Sequence, residues 1–224
     1  MPRSAQTPGA ADTKTRILDA AEELFGEHGY AATSLRHVTH AAGVNVAAVN
    51  YHFGSKEGLL RAVVRRAMAS VNADRARLLD DLEAAAAPPA ADELIRAFVA
   101  AGADIVRRHG DRGPHVARLL GRVICEPGPG IRRIFATEVA PVEGRYLDAL
   151  TVALPEFPPS EVAFRYRAMI GLLALYQAGT LADLHPGEET TVAHDRREDP
   201  EALVAMLTAA FHAPPGTASP TRSA

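Results

Sequence analysis

The chain lacks the residues that staple proteins together or carry them across membranes. It holds one cysteine, Cys125, among 224 residues. A lone thiol excludes an intrachain disulfide and any multi-cysteine zinc site. Aromatic residues are scarce, at 5%. No apolar run reaches the roughly 18 residues that a membrane span needs. The opening stretch, MPRSAQTPGAADTK, has no apolar segment of the kind a secretory signal carries. The expectation is a cytoplasmic protein with no membrane partner. Lysine is almost missing, Lys14 and Lys56 being the only two. No stretch alternates polar and apolar residues with a period of two, and no internal repeat is visible, so strands are not expected.

What remains is ordinary globular composition, 47% hydrophobic and 23% charged. The length allows one generous domain or two small ones. Net charge is −3, but it is unevenly spread. Residues 1–66 hold eight Lys and Arg against six acids, and the rest of the chain sixteen against twenty-one. A basic head precedes an acidic body, and distribution matters more than the sum for a polyanionic partner.

The pattern predicts an all-α fold of about nine helices. Residues 1–11 and 213–224 are rich in Pro, Gly, Ala, Ser and Thr and read as disordered tails. A first helix is expected near 13–28, where Ile17, Leu18, Ala21, Leu24 and Phe25 form one stripe. Asp12 or Thr13 can cap its start, and Gly29 suits its end. A short helix follows at 34–42, with Thr33 or Ser34 as its cap, Leu35, Val38, Ala41 and Ala42 inward, and Gly43 as its stop. Asn45 caps another at 46–52, and Ser55 a long one at 56–86 that ends at Pro88-Pro89. Further helices are expected near 92–109, 114–125, 129–152, 159–184 and 200–212, with a polar loop at 185–198. Pro141 should kink or split the 129–152 helix.

Thr33 to Lys56 reads TSLRHVTHAAGVNVAAVNYHFGSK, two short helices joined by a Gly-containing turn. That is the outline of a helix-turn-helix. A helix of two turns is not stable alone, so Val46, Val49 and Phe53 are expected to brace it. The other side then presents Asn45, Ala47, Ala48, Asn50, Tyr51 and His52. Small side chains at 47 and 48 allow close approach, and a DNA major groove about 12 Å wide admits such a helix. Thr33 and Ser34 sit at a helix N-terminus, which favours a phosphate. Tyr51 and His52 can donate to phosphate oxygens. Lys56 opens a helix, where a cation gains from an external anion. Asn45 and Asn50 can bond base edges, Ala47 or Ala48 can touch a thymine methyl, and Arg36 can reach a guanine edge or the backbone.

The wording of this segment resembles the TetR family of bacterial transcriptional regulators. The likeness runs from Arg16-Ile-Leu-Asp-Ala-Ala-Glu-Glu-Leu-Phe, through Gly29-Tyr30 and Thr33-Ser34, to Ala42-Gly43-Val44 and Tyr51-His52-Phe53-Gly54-Ser55-Lys56-Glu57-Gly58-Leu59-Leu60. The spelling GVNVAAVNYHFGSKEGLL looks like the PsrA-type, fatty-acid-responsive subgroup. Many relatives have Tyr where Asn50 stands, which leaves base preference there open. The resemblance implies DNA contact by Thr33, Ser34, Arg36, Asn45, Val46, Ala47, Ala48, Asn50, Tyr51, His52 and Lys56. It implies a helix-turn-helix domain at 12–60, linked through helix 56–86, and a helical effector-binding and dimerisation domain at 61–212. It further implies a homodimer on a palindromic double-stranded operator, a repressor released by a small lipophilic or fatty-acyl effector.

The 159–184 helix carries Val162, Met169, Ile170, Leu172, Leu173, Leu175 and Tyr176, and the 200–212 helix Leu203, Val204, Met206, Leu207 and Phe211. Two such pairs can build an intersubunit four-helix bundle, or can bury inside one monomer. Candidate effector contacts are Phe98, Ile105, His115, Leu119, Arg122, Val123, Cys125, Phe135, Tyr166 and Tyr176, with Arg122 available to a carboxylate. Other features read as bland. Gly128-Pro129-Gly130 lacks the following Lys and preceding strand of a phosphate loop. His37 and His40 have no acid or Cys partner at metal-binding spacing. Cys125 reads as packing in an apolar helix, and Glu22-Glu23 as a solvated face. No spacing suggests a catalytic triad, so neither an enzyme nor a cofactor is expected. The competing reading is a helical small-molecule-binding protein or enzyme whose head makes protein contacts.

Overall fold

The computed structural model describes residues 10–103, 105–178 and 200–215. Among them are ten α-helices, one short 3-10 turn and no strand. The head comprises α1 (Ala10–Ala32), α2 (Leu35–Ala42) and α3 (Val46–Phe53), and α4 (Lys56–Glu83) leads out of it. The body continues with α5 (Ala91–Ala103), α6 (Ile105–Arg108), the 3-10 turn Gly110–Arg112, α7 (Gly113–Cys125), α8 (Pro129–Ala153), α9 (Pro159–Gln177) and α10 (Pro200–His212). The helix expected at 92–109 is helical at Ala91–Ala103 and Ile105–Arg108, on either side of residue 104, which lies outside the described residues. The expected continuation of α9 to 184, the loop at 185–198 and most of both tails lie outside the described residues.

Local chemistry sets the short helices. Ser34 Oγ accepts from the His37 amide at 3.2 Å, Asn45 Oδ1 from Ala48 at 2.9 Å, and Ser55 Oγ from Gly58 at 3.0 Å. Each such cap stabilises its helix by about 1 kcal/mol. Gly43, at φ 61°, supplies the left-handed residue that turns α2 into α3. Arg16 clamps the same turn from α1, donating to the carbonyls of Ala42 and Gly43.

Three expectations shift. The first helix starts at Ala10, so Asp12 lies in its first turn rather than capping it. Gly29 does leave helical geometry, at φ 80°, but helical turns resume as far as Ala32. Pro141 neither splits nor ends α8, which runs from Pro129 to Ala153 around it. Its ring lies on the exposed face, so it forfeits one backbone bond without a clash against neighbouring helices.

Two clusters of buried side chains fill the molecule. The first joins Ile17, Phe25, Val38, Val49 and Leu59 of the head to Val116, Leu119, Val123 and Ile134 of the body. It therefore crosses the division expected at residue 60. The second packs Leu94, Phe98, Tyr146, Met169 and Phe211 at the far end of α4. Between head and body lies an ionic hub. Glu22, read from sequence as solvated, is 1% exposed. It accepts from Arg66 at 2.8 Å and from Arg112 at 2.8 and 3.2 Å, while Arg66 also reaches Asp19 at 2.7 Å. Glu23 beside it is exposed, as expected.

Candidate nucleic-acid interface and effector cavity

The second short helix of the head is anchored on one side and bare on the other. Val49 is fully buried against the core and Phe53 half-buried. Asn45, Ala47 and Asn50 are exposed, and Tyr51 is 84% exposed. Val46, expected to brace the helix, is 40% exposed and lies with the outward set. Ala48 is half-buried and completes the brace in its place. His52 is half-buried and meets the edge of the Tyr51 ring, with centroids 5.0 Å apart. The bare face is apolar and amide-bearing, the chemistry that base edges and thymine methyls accept.

The supporting residues divide. Ser34 and Arg36 are exposed beside this face. Thr33 is buried, and its hydroxyl donates to the carbonyls of Gly29 at 2.8 Å and Leu24 at 3.1 Å. That hydroxyl locks the end of α1, so a phosphate contact at Thr33 is left to its backbone. Lys56 Nζ donates to the Tyr30 carbonyl and lies 4.1 Å over the Tyr30 ring. Burial against that ring lowers the pKa of the ammonium. Lys56 is thus first a tie between α4 and α1, with its remaining N–H groups free to face an anion. Asn45 spends its carbonyl oxygen on the cap, which leaves its amide as a donor outward. His37 and His40 are exposed, and no metal-binding cluster occurs among the described residues.

The effector candidates separate onto two sides of α7. His115 is half-buried beside α1, Leu119 is buried against it, and Arg122 donates to the carbonyls of Gly26 at 2.8 Å and Glu27 at 3.0 Å. Arg122 therefore satisfies carbonyls near the end of α1 and is turned away from the cavity. The opposite side of α7, with Leu120, faces a small, partly open cavity of about 20 Å³, the space of roughly one water molecule. Met68, Ile105, Phe135 and Leu173 are its apolar walls, so Ile105 and Phe135 of the expected contacts line it directly. Phe98 and Tyr166 stand behind the wall, their rings 5.4 Å apart and steeply inclined. Tyr176 is half-buried against the second cluster. Cys125, expected to be packed, is exposed.

Sequence reasoning missed the polar floor of this cavity. Arg75 on α4 is 4% exposed and stacks 3.6 Å from the Phe98 ring centroid. Its nearest acid is Glu143 on α8, with Arg75 Nη1 at 3.9 Å from Oε1. That is an attraction without a hydrogen bond. Among the described residues, Glu143 Oε1 is buried without a hydrogen bond, as is the Tyr166 hydroxyl. Burial pushes the Glu143 carboxyl above the usual carboxylate range, with Arg75 opposing the shift. Tyr146, whose hydroxyl donates to the Arg75 carbonyl at 3.0 Å, is pushed up to about 12 by burial. An arginine and a glutamate deep on the long fourth helix and the proline-containing α8 were the only signal available.

Two family models match the chain. Residues 17–63 match bacterial regulatory proteins of the tetR family, and residues 96–213 match the tetracyclin repressor-like C-terminal domain. The head is similar to the HTH-type transcriptional regulatory protein RaaS of Mycobacterium tuberculosis, 55% identical over 47 residues, which is 21% of this chain and 22% of that protein. It is also similar to the HTH-type transcriptional repressor KstR2 of Rhodococcus jostii, 36% identical over 64 residues, 29% of this chain and 31% of that one. The chain thus aligns with less than a third of the length of these curated relatives. Whole-chain likeness comes from solved structures. The TetR-family regulator PfmR of Thermus thermophilus is 24% identical with a TM-score of 0.56, covering 89% of this chain and 95% of that one. The multidrug binding protein EbrR, solved with imidazole, is 25% identical with a TM-score of 0.52, covering 94% and 99%. RaaS, KstR2 and PfmR carry the names of regulators rather than of enzymes. With its head and most of its body matched by the family's own models, the chain belongs to the TetR family of bacterial transcriptional regulators.

Proposed function

We propose that the protein is a homodimeric repressor that sets α3 of each head into a major groove of a palindromic operator. The observation that carries this reading is the asymmetry of α3. Val49 holds it to the core, while Val46, Ala47, Asn50 and Tyr51 stand free. In this reading Asn50 and the Asn45 amide meet base edges, and Ala47, Ala48 and Val46 meet thymine methyls. Tyr51, His52, Ser34, Arg36, Lys56 and the Thr33 backbone meet the phosphates. Half-sites lie one helical turn or more apart. The name of KstR2 as a repressor supports repression over activation.

A lipophilic effector enters by widening the small cavity among α4, α7, α8 and α9 and favours a head spacing that no longer fits the operator. The likeness to EbrR, a multidrug binding protein, supports a small-molecule effector. Dimerisation uses α9 and α10. Much of the apolar surface expected there is consumed inside the monomer, including Val162, Met169, Leu173, Leu203 and Phe211. What is left for a second copy is Phe164, 63% exposed, and Met206, 50% exposed. The site of action is the bacterial cytoplasm, where the operator is.

The test is a gel shift on the DNA upstream of its own gene. Ala47→Glu places a carboxylate on the bare face and should abolish the shifted band, with thermal stability and dimer mass unchanged. Undiminished binding by this variant would refute the assigned groove contact.

A further inference from the structure

The two asparagines of the bare face differ in what they have left to offer. Asn45 spends its Oδ1 on the Ala48 amide at 2.9 Å, so outward its side chain only donates. Asn50 is exposed, and its side chain makes no hydrogen bond among the described residues. It keeps both an acceptor oxygen and a donor NH2 group. That pair matches the N6–H donor and N7 acceptor of adenine in the major groove. Guanine presents two acceptors there, O6 and N7, and would leave the amide oxygen facing another oxygen.

The side chains around Asn50 are methyl-bearing. Val46 lies four residues before it and Ala47 three, both exposed, so both neighbour it on the helix surface. Such neighbours have Cβ atoms about 5–6 Å apart, which is one or two base steps of about 3.4 Å. The groove-edge methyl group belongs to thymine. The side chains that pair with guanine are arginine and lysine, and α3, Val46–Phe53, contains neither. Lys56 is tied to the Tyr30 carbonyl, so a guanine contact falls to Arg36 on α2, outside the stretch that α3 covers.

We infer that the base pairs facing α3 are A·T, with Asn50 taking the N6 and N7 groups of an adenine and Val46 and Ala47 the methyl groups of thymines one or two steps away. The inference rests on the reading that α3 enters the major groove.

Selection of randomised duplexes on the full chain supplies the sites, and base analogues in the selected site test the contacts. N50A should relax the preference for adenine at one position of each half-site and leave the other positions sharp. N50D, which only accepts, should move that position toward cytosine. Replacing the same adenine by 7-deazaadenine should weaken binding about tenfold. Deoxyuridine for a thymine within two steps of it removes one methyl group and should cost about fourfold. The analogue arms alter only the DNA, so they decide even where a variant fails to fold. A G·C pair at the position that N50A relaxes, no position relaxed by a folded N50A, or indifference to deoxyuridine overturns the inference. Where Ala47→Glu still abolishes binding, such a result leaves the groove reading standing. No enrichment over the starting pool, or binding that survives Ala47→Glu, refutes the groove reading and the inference with it.

Discussion

Glu22 and Arg112 form a two-point ion pair at 2.8 and 3.2 Å, although 90 residues separate them. Glu22 sits in the middle of α1, which carries the head, and Arg112 in the turn that starts α7, which borders the cavity. Arg66 of α4 completes the hub on the same carboxylate. Removing the acid leaves two guanidiniums facing each other with only Asp19 between them. Breaking one side of a buried pair costs about 3–5 kcal/mol, and the partial exposure of both arginines places this case at the lower end. Glu22→Gln should therefore lower the urea midpoint clearly with the slope unchanged. It should also weaken operator binding more than the loss of an exposed pair such as Arg61–Glu57 does.

Gly58 tests how the head is held together. A Cβ there would lie 2.1 Å from the Phe53 carbonyl oxygen. In an exposed helix, Gly→Ala gains about 1 kcal/mol. Here the sign should reverse, because the clash is with backbone and not with a side chain that can swing away. Gly58→Ala should lower the melting temperature and weaken DNA binding together, since the displaced segment is the end of α3. A melting temperature at or above that of the unsubstituted chain would contradict the close approach.

What the sequence revealed and what it hid divide along the range of the interactions. Ser34, Asn45 and Ser55 were readable as caps because a cap is completed within three residues. The two-turn helices, the Gly43 turn and the family wording followed from the same short stretch. Glu22 was not readable, since its partners lie 44 and 90 residues away. The face of α7 was ambiguous for a different reason. Both its sides are apolar, and only packing shows that His115, Leu119 and Arg122 turn to α1 while Leu120 turns to the cavity. Arg75 and Glu143 escaped notice because a charged residue on a long helix ordinarily faces water.

Truncation should separate Lys56 from Tyr51 by its effect on stability. Lys56 bonds the Tyr30 carbonyl and covers its ring, a cation–π contact contributing about 0.5–1 kcal/mol. Tyr51 is 84% exposed and touches little of the core. Lys56→Ala should lower both stability and DNA affinity. Tyr51→Ala should leave stability within about 0.5 kcal/mol. Its DNA affinity should nonetheless fall, with the dependence on salt unchanged, because a neutral phenol that meets a phosphate releases no counterion. Thermal melts and filter binding at two salt concentrations read both effects.

The dimer reading makes a prediction that does not involve DNA. Phe164 on α9 and Met206 on α10 are large apolar side chains left in water by the monomer fold. The exposed positions around Met206 on α10 are small, Ala202, Ala205 and Ala209, so a second helix can approach closely. Burying an apolar side chain of this size contributes about 1.5–3 kcal/mol, counted twice across a two-fold axis. Phe164→Asp with Met206→Asp would place four carboxylates at such an interface. The double variant should run as a monomer by light scattering at concentrations where the unsubstituted chain is dimeric. It should keep its helical circular dichroism, because neither side chain belongs to the buried core. Operator binding should fall steeply with it, since a single modestly basic head makes half the phosphate contacts. An unchanged dimer mass would place the interface on another face of the body.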